Sequence, residues 1–215
     1  MSRLIASTAR LRRRERSQRG AAAVEFAILL PVLSLILFGL LDFGIAFNTG
    51  RQLEDTLRSA ARLGAGDGDR RGADFTIVRA IASQNGGSTV SGSSDRITKV
   101  VVYEASGDGT VPPACWEHSV AETEDDGVRC NLYPGSLLED VQPAAFGLGE
   151  HDDPDACSAT ALDRFWCPVS RADASEMNHN LGVAVEVTRD PLLSEKLGVS
   201  RIQRHVVFRL EVRES

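Results

Sequence analysis

From Phe26 to Leu41 the chain reads FAILLPVLSLILFGLL, with no charged residue. Asp42 interrupts, and FGIAF carries the apolar character on to Phe47. Residues 26–47 number 22; as a helix they reach about 33 Å, enough for a hydrocarbon core of about 30 Å. The run exceeds a signal-peptide core of about 7–15 residues. One membrane-spanning helix over residues 21–47 is therefore the expected element. The rival is a cleaved secretory signal, with Gly44-Ile45-Ala46 as a small-x-small site. The length of the run, Asp42 just before that site and Glu25 at its front count against it. A twin-arginine signal is disfavoured too, because the arginines are not followed closely by apolar residues.

Charge sets the direction of the span. Residues 1–20 hold seven arginines and one acid, Glu15, so this leader carries +6 of a total of -6 and the remainder carries -12. Basic residues before the span predict a cytoplasmic N-terminus and an exported C-terminal body. An acidic body would repel phosphates, so no nucleic-acid partner is expected. Of the 24 basic residues 22 are arginine, a codon-bias hint of a GC-rich bacterial genome. The expected location is a bacterial cytoplasmic membrane. Pro31 inside the run removes a helical hydrogen bond and crowds the carbonyl of Ala27, predicting a kink or local loosening.

Glu25 is the feature a plain anchor does not need. A carboxylate costs up to about 3 kcal/mol at a bilayer centre and less at the edge. The bland reading is a water-boundary residue. The sharper one starts from Gly20, five residues earlier. A cut after Gly20 would create a positive amine at Ala21, and that amine could pair with Glu25 of a neighbouring helix and fix axial register.

Gly20, Glu25 and Phe26 ahead of an apolar helix resemble the prepilin-peptidase site of Flp (Tad-system) pilins. The fuller string RGAAAVEFAILLPVLSLILFGLLDFG resembles the start of the TadE-like family, including an early proline and the close FGLLDFG at 38–44, which holds Gly39, Asp42 and Gly44. The resemblance implies a pseudopilin or minor-pilin component of a tight-adherence pilus system. It implies a peptidase cut between Gly20 and Ala21, a recognition and register role for Glu25, and as partners the bilayer, other pilin helices, the assembly platform and the peptidase. Asp42, about 8 Å inside the outer end of the span, reads first as an interfacial residue. A contact with other subunits or the platform is the alternative.

Beyond the membrane, RQLEDTLRSAARLG (51–64) places Leu53, Leu57, Ala61 and Gly64 on one stripe, so the helix is expected to continue as a stalk over 48–66. Gly64, Gly66 and Gly68 are expected to stop it. A second helix is predicted at 74–84, with Asp74 as N-cap and Phe75, Val78 and Ile81 as its buried face. NGGSTVSGSSD (85–95) reads as a flexible connector. Strands are predicted at 97–103, 181–187 and 204–212, half-buried and antiparallel. PLLSEKLGV (191–199) reads as a short connecting helix. The expected class is α+β: a spanning and stalk helix, then an exported domain (67–215) with a small antiparallel sheet and a long loop (106–180).

Cys115, Cys130, Cys157 and Cys167 all fall in that loop. On the exported side of a membrane they read as two disulfides. Three pairings are possible, and sequence order favours Cys115–Cys130 with Cys157–Cys167. Zinc is disfavoured because no CxxC pair occurs. His118, His151, His179 and His205 are scattered, and no HExxH, GxSxG or phosphate-binding glycine loop appears. The acidic clusters Glu124-Asp125-Asp126 and Asp152-Asp153-Pro154-Asp155 lack EF-hand spacing and read as solvated loop charge. No catalytic residue, cofactor or metal is expected. The leading expectation is a pilus-assembly component. An uncleaved, membrane-anchored binding module comes second, and an anchored hydrolase last.

Overall fold

The computed structural model describes residues 3–67, 69–117, 129–149, 157–171, 180–192 and 199–210, with side chains from Ala22 onward. Helix α1 runs unbroken from Arg3 to Asp67, 65 residues, which is about 98 Å of helix. It passes through Pro31 without interruption. Leader, span and stalk are thus one helix. Helix α2 (Ala73–Asn85) turns back against it. Strands β1 (Arg96–Ala105), β2 (Cys130–Pro134), β3 (Asn180–Thr188) and β4 (Arg201–Arg209) form one antiparallel sheet in the order β2-β1-β3-β4. A five-residue helix, α3 (Pro113–Glu117), and three short 3-10 turns complete the chain. The class is α+β, as expected.

The predicted stalk stripe is the part of α1 that enters the core. Leu53, Leu57, Ala60 and Ala61 are at most 1% exposed and pack with Ile77, Val78 and Ile81 of α2 and the inner face of the sheet. Full burial of a leucine is worth about 1.5–3 kcal/mol. Gly64 does not stop the helix. It lies inside α1, and a Cβ there would come within 2.3 Å of the Ile77 side chain. Its missing side chain is what lets α2 approach.

The start of α2 also differs from expectation. Gly72, at φ 89°, is the N-cap, and Asp74 makes no cap; it is fully buried in the first turn, where an ion pair holds it. The connector 85–95 is an ordered turn. Val90 is fully buried, its amide donates to Asp95 O (2.8 Å), the Ile97 amide donates to Ser88 O (2.7 Å), and Thr89 bridges to Arg96. Glycine- and serine-rich composition hid one apolar anchor and a run of backbone hydrogen bonds.

All three predicted strands exist, with β4 starting three residues earlier than expected. Leu181, Val183, Val185 and Val187 face the helices, as the alternation predicts. In β1 a bulge between Ile97 and Lys99 resets the alternation, so Ile97, Val100 and Val102 share one face although their numbers differ in parity. The expectation of half-buried strands fails for β1 and β3. Their second face is buried too: Val101 and Tyr103 of β1 and Ala184 of β3 cluster with Leu132 and Cys115, with Val111 and Trp116 packed against them. Strand β2 was hidden in the expected loop because it is only five residues long and closes with a proline. It pairs β1 from Lys99↔Pro134 to Tyr103↔Cys130. Of the proposed 191–199 helix, residues 193–198 lie outside the described residues, and its flanks are not helical.

Candidate functional site: the apolar helix and its buried junction

From Ala22 to Leu41, α1 has nothing packed on it among the described residues. Every large apolar side chain from Val24 to Phe47 is between 41% and 69% exposed. A soluble surface rarely carries a contiguous patch beyond a few hundred Å². Here the whole circumference is apolar, and the helix is long and apolar enough to cross a membrane. The Gly20–Ala21 bond lies within the helical backbone. Glu25 and Phe26 are exposed on the apolar cylinder, and Glu25 is its one acid before Asp42. Added Cβ atoms at Gly39 and Gly44 meet nothing within 4 Å. Those glycines therefore serve no contact among the described residues of this chain.

Asp42 is the point where the free helix becomes part of the domain. It is 3% exposed, although Leu41 and Phe43 on either side are 49% and 65% exposed. Among the described residues its partners lie in its own chain. Arg189, just past the end of β3, places Nη2 3.1 Å from Asp42 Oδ1 and donates through Nη1 to the Asp42 carbonyl at 3.1 Å. The Leu192 amide donates to Asp42 Oδ1 at 3.0 Å. The other side of the same guanidinium faces Asp95, with Nε 3.5 Å from Oδ1, a charge contact rather than a hydrogen bond. Thr49, two turns along α1, donates to Asp95 Oδ2 at 2.8 Å. One arginine thus joins two buried carboxylates drawn from the apolar helix and from the turn before β1. Nearby, Gly50 leaves room for Arg204 of β4, whose Nη2 would be 2.6 Å from an added Cβ.

A second buried network organises the disulfide-bonded loop. Arg171 grips Asp74 with two bonds, Nη1 to Oδ1 at 2.6 Å and Nη2 to Oδ2 at 2.8 Å. The Tyr133 hydroxyl and the Asn131 amide also donate to Asp74 Oδ2, at 2.5 and 2.8 Å. Arg171 and Asn131 both donate to the Trp166 carbonyl, and the guanidinium lies 4.1 Å from the centre of the Trp166 ring. Burial first, and then the Asp74 charge, push the Tyr133 hydroxyl well above its usual range. Asp163, buried beside this network, is raised to about 6, by desolvation first and by Asp74 second. These groups tie the 157–171 loop to α2 and β2, and their geometry is that of a structural lock.

The disulfides are Cys115–Cys130 and Cys157–Cys167, the pairing favoured by sequence order. The first joins α3 to β2, and so holds the cover over the second face of the sheet. Among the described residues no group of three or more His, Cys, Asp or Glu could hold a metal ion. His118, His151, His179 and both acidic clusters lie outside the described residues. His205 sits on β4, one of the two edge strands, and is exposed. The residues that sequence reasoning missed are Arg189, Asp95 and Arg171. Each stands alone in the sequence, and Arg189 and Asp42 are 147 positions apart, so no local spacing could have paired them.

The architecture defines a class: an α+β domain carried on one N-terminal apolar helix that continues into its core. Comparison with protein families narrows it. Residues 20–62 match the family described as TadE-like protein. The match begins at Gly20 and covers the apolar cylinder, Asp42 and the stripe that packs into the domain. No curated protein and no solved structure matches the chain.

Proposed function

We propose that this protein is a pseudopilin or minor-pilin component of a tight-adherence pilus assembly system, held in the cytoplasmic membrane by α1 with its domain exported. The observation that carries this reading is the TadE-like match over 20–62. It spans the expected cut site at Gly20–Ala21, the bare apolar part of α1 and the Leu53–Leu57–Ala61 stripe that enters the core. Supporting chemistry comes from Glu25. After a cut at Gly20, Glu25 would lie four residues, or about 6 Å, beyond a charged Ala21 amine. In a bundle of packed helices, the amine of one copy and the carboxylate of the next would neutralise each other and set the axial offset. Gly20 also weakens the helix locally by about 1 kcal/mol relative to alanine, easing the opening that a peptidase needs.

The test is N-terminal sequencing with intact mass of the membrane-extracted protein from cells containing its own peptidase. A start at Ala21 is expected, and Gly20→Ala should leave the arginine leader attached. A start at residue 1 or 2 would sink the processed-pilin reading in favour of an uncleaved anchored binding module. A start near Phe47 would mean a cleaved secretory signal.

A further inference from the structure

We infer that the domain rests on the outer leaflet of the bilayer, with the Pro191–Leu192 tip inserted at the hydrocarbon boundary beside Asp42. This rests on the reading of α1 as a membrane span, and it adds a second membrane contact from a part of the chain remote from that helix. The apolar run between Glu25 and Asp42 carries no charge, and Asp42 is the first charged residue at its outer end, the level at which the helix meets the headgroup layer. The Arg189 clamp fixes the domain against the helix at that level, because Asp42 contributes both its carboxylate and its carbonyl to Arg189.

Leu192 sits at the same height, its amide 3.0 Å from Asp42 Oδ1. Its side chain turns away from the core and is 56% exposed. Beyond Phe47 the only exposed large apolar side chains among the described residues are Leu63, Leu192 and Val199. Two of these three lie at this one end of the domain. The Arg189 amide donates to the Ser200 carbonyl at 3.0 Å, which brings the chain around 199–200 alongside the chain around 189–192. The rest of the described domain surface is nearly free of large apolar groups, so their concentration where the membrane helix enters is what a lipid-facing surface requires. The helix continues the same gradation. Phe43 is 65% exposed, about 1.5 Å past Asp42, and Phe47 about 7.5 Å past it is within the headgroup layer. Arg51 holds its guanidinium 4.7 Å from the Phe47 ring, an apolar body below and a charge above.

The four native cysteines are paired, so one added cysteine supplies a single free thiol. Leu192→Cys, Leu33→Cys and Leu63→Cys all replace exposed side chains. Each full-length variant would be nitroxide-labelled and reconstituted in phosphatidylethanolamine–phosphatidylglycerol vesicles. Accessibility to oxygen, which partitions into lipid, would then be compared with accessibility to a water-soluble nickel chelate. The expected result is an oxygen-to-nickel ratio at 192 several-fold above that at 63 and below that at 33. A ratio at 192 equal to that at 63, with 33 still lipid-protected, would overturn the inference and leave the span intact. Nickel access at 33 as high as at 63 would overturn both.

Discussion

Replacing Arg189 with alanine should be among the most damaging single changes available in the described domain. The substitution removes the ion pair to Asp42, the charge contact to Asp95 and the hydrogen bond to the Asp42 carbonyl. Both carboxylates remain, at side-chain exposures of about 4%. Breaking a buried pair by removing one partner costs about 3–5 kcal/mol, since an uncompensated charge stays behind. That is a large part of a typical stability of about 5–15 kcal/mol. With a urea slope of about 2 kcal/mol/M, the unfolding midpoint should fall by about 1.5–2.5 M. The assay is urea unfolding of the detergent-solubilised full chain, followed by the fluorescence of Trp116 and Trp166, both in the domain. Arg58→Ala is the control. Its 2.6 Å partner Glu54 is solvent-exposed, as Arg58 is, so the loss there should stay below about 1 kcal/mol. If Arg189→Ala loses no more than Arg58→Ala, Arg189 does not hold the helix to the domain, and the clamp reasoning is wrong.

Three further outcomes follow from the packing. Asp163 is raised to about 6 from a usual value of 3.8, so the folded state holds a proton that the unfolded chain has lost between those values. The stability this group contributes is present at low pH and falls as pH rises through that window. Thermal melts between pH 4 and 7 should therefore show a decline in the native chain that is absent from Asp163→Asn, worth at most about 3 kcal/mol, and parallel curves would refute it. Gly182→Ala would put a Cβ 2.2 Å from the Tyr103 ring, and this overpacking should cost about 1–3 kcal/mol, read as a lowered melting temperature. The double change Cys157→Ser with Cys167→Ser opens a loop of 10 residues' separation and should cost about 3 kcal/mol in the chain-entropy model. It should also expose the 157–171 loop to proteolysis, because the Trp166 carbonyl next to Cys167 is what Arg171 and Asn131 hold.

Elements with a clean period were legible in the sequence. The uninterrupted apolar run gave the long helix, the Leu53–Leu57–Ala61 stripe gave its buried continuation, and the alternation in 181–187 gave a central strand. What failed had a common cause, namely that tertiary partners decide it. Strand β2 exists because β1 offers it an edge and Cys115 a tether, neither of which is encoded within its five residues. The turn at 85–95 is ordered by Val90, which composition outweighed. Asp74 looked like a cap because an acid at a helix start usually is one; the arginine that claims it lies 97 positions away. The string from Gly20 to Phe26 stands out locally in the sequence, whereas the burial of Asp42 was not legible because it depends on residues 189–192.

The absence of any linker between the apolar cylinder and the sheet has a mechanical consequence. One rod carries the apolar cylinder and enters the core, so a pull on its bare end loads the domain in shear along the Leu53–Leu57–Ala61 seam and across the Arg189 clamp. Each turn of the rod turns the domain by the same angle. Inserting one residue between Phe43 and Leu53 would swing the two halves about 100° apart in azimuth and shift them about 1.5 Å in height. The angular bearing of the domain surface relative to Glu25 is thus set by the count of residues along a single screw axis.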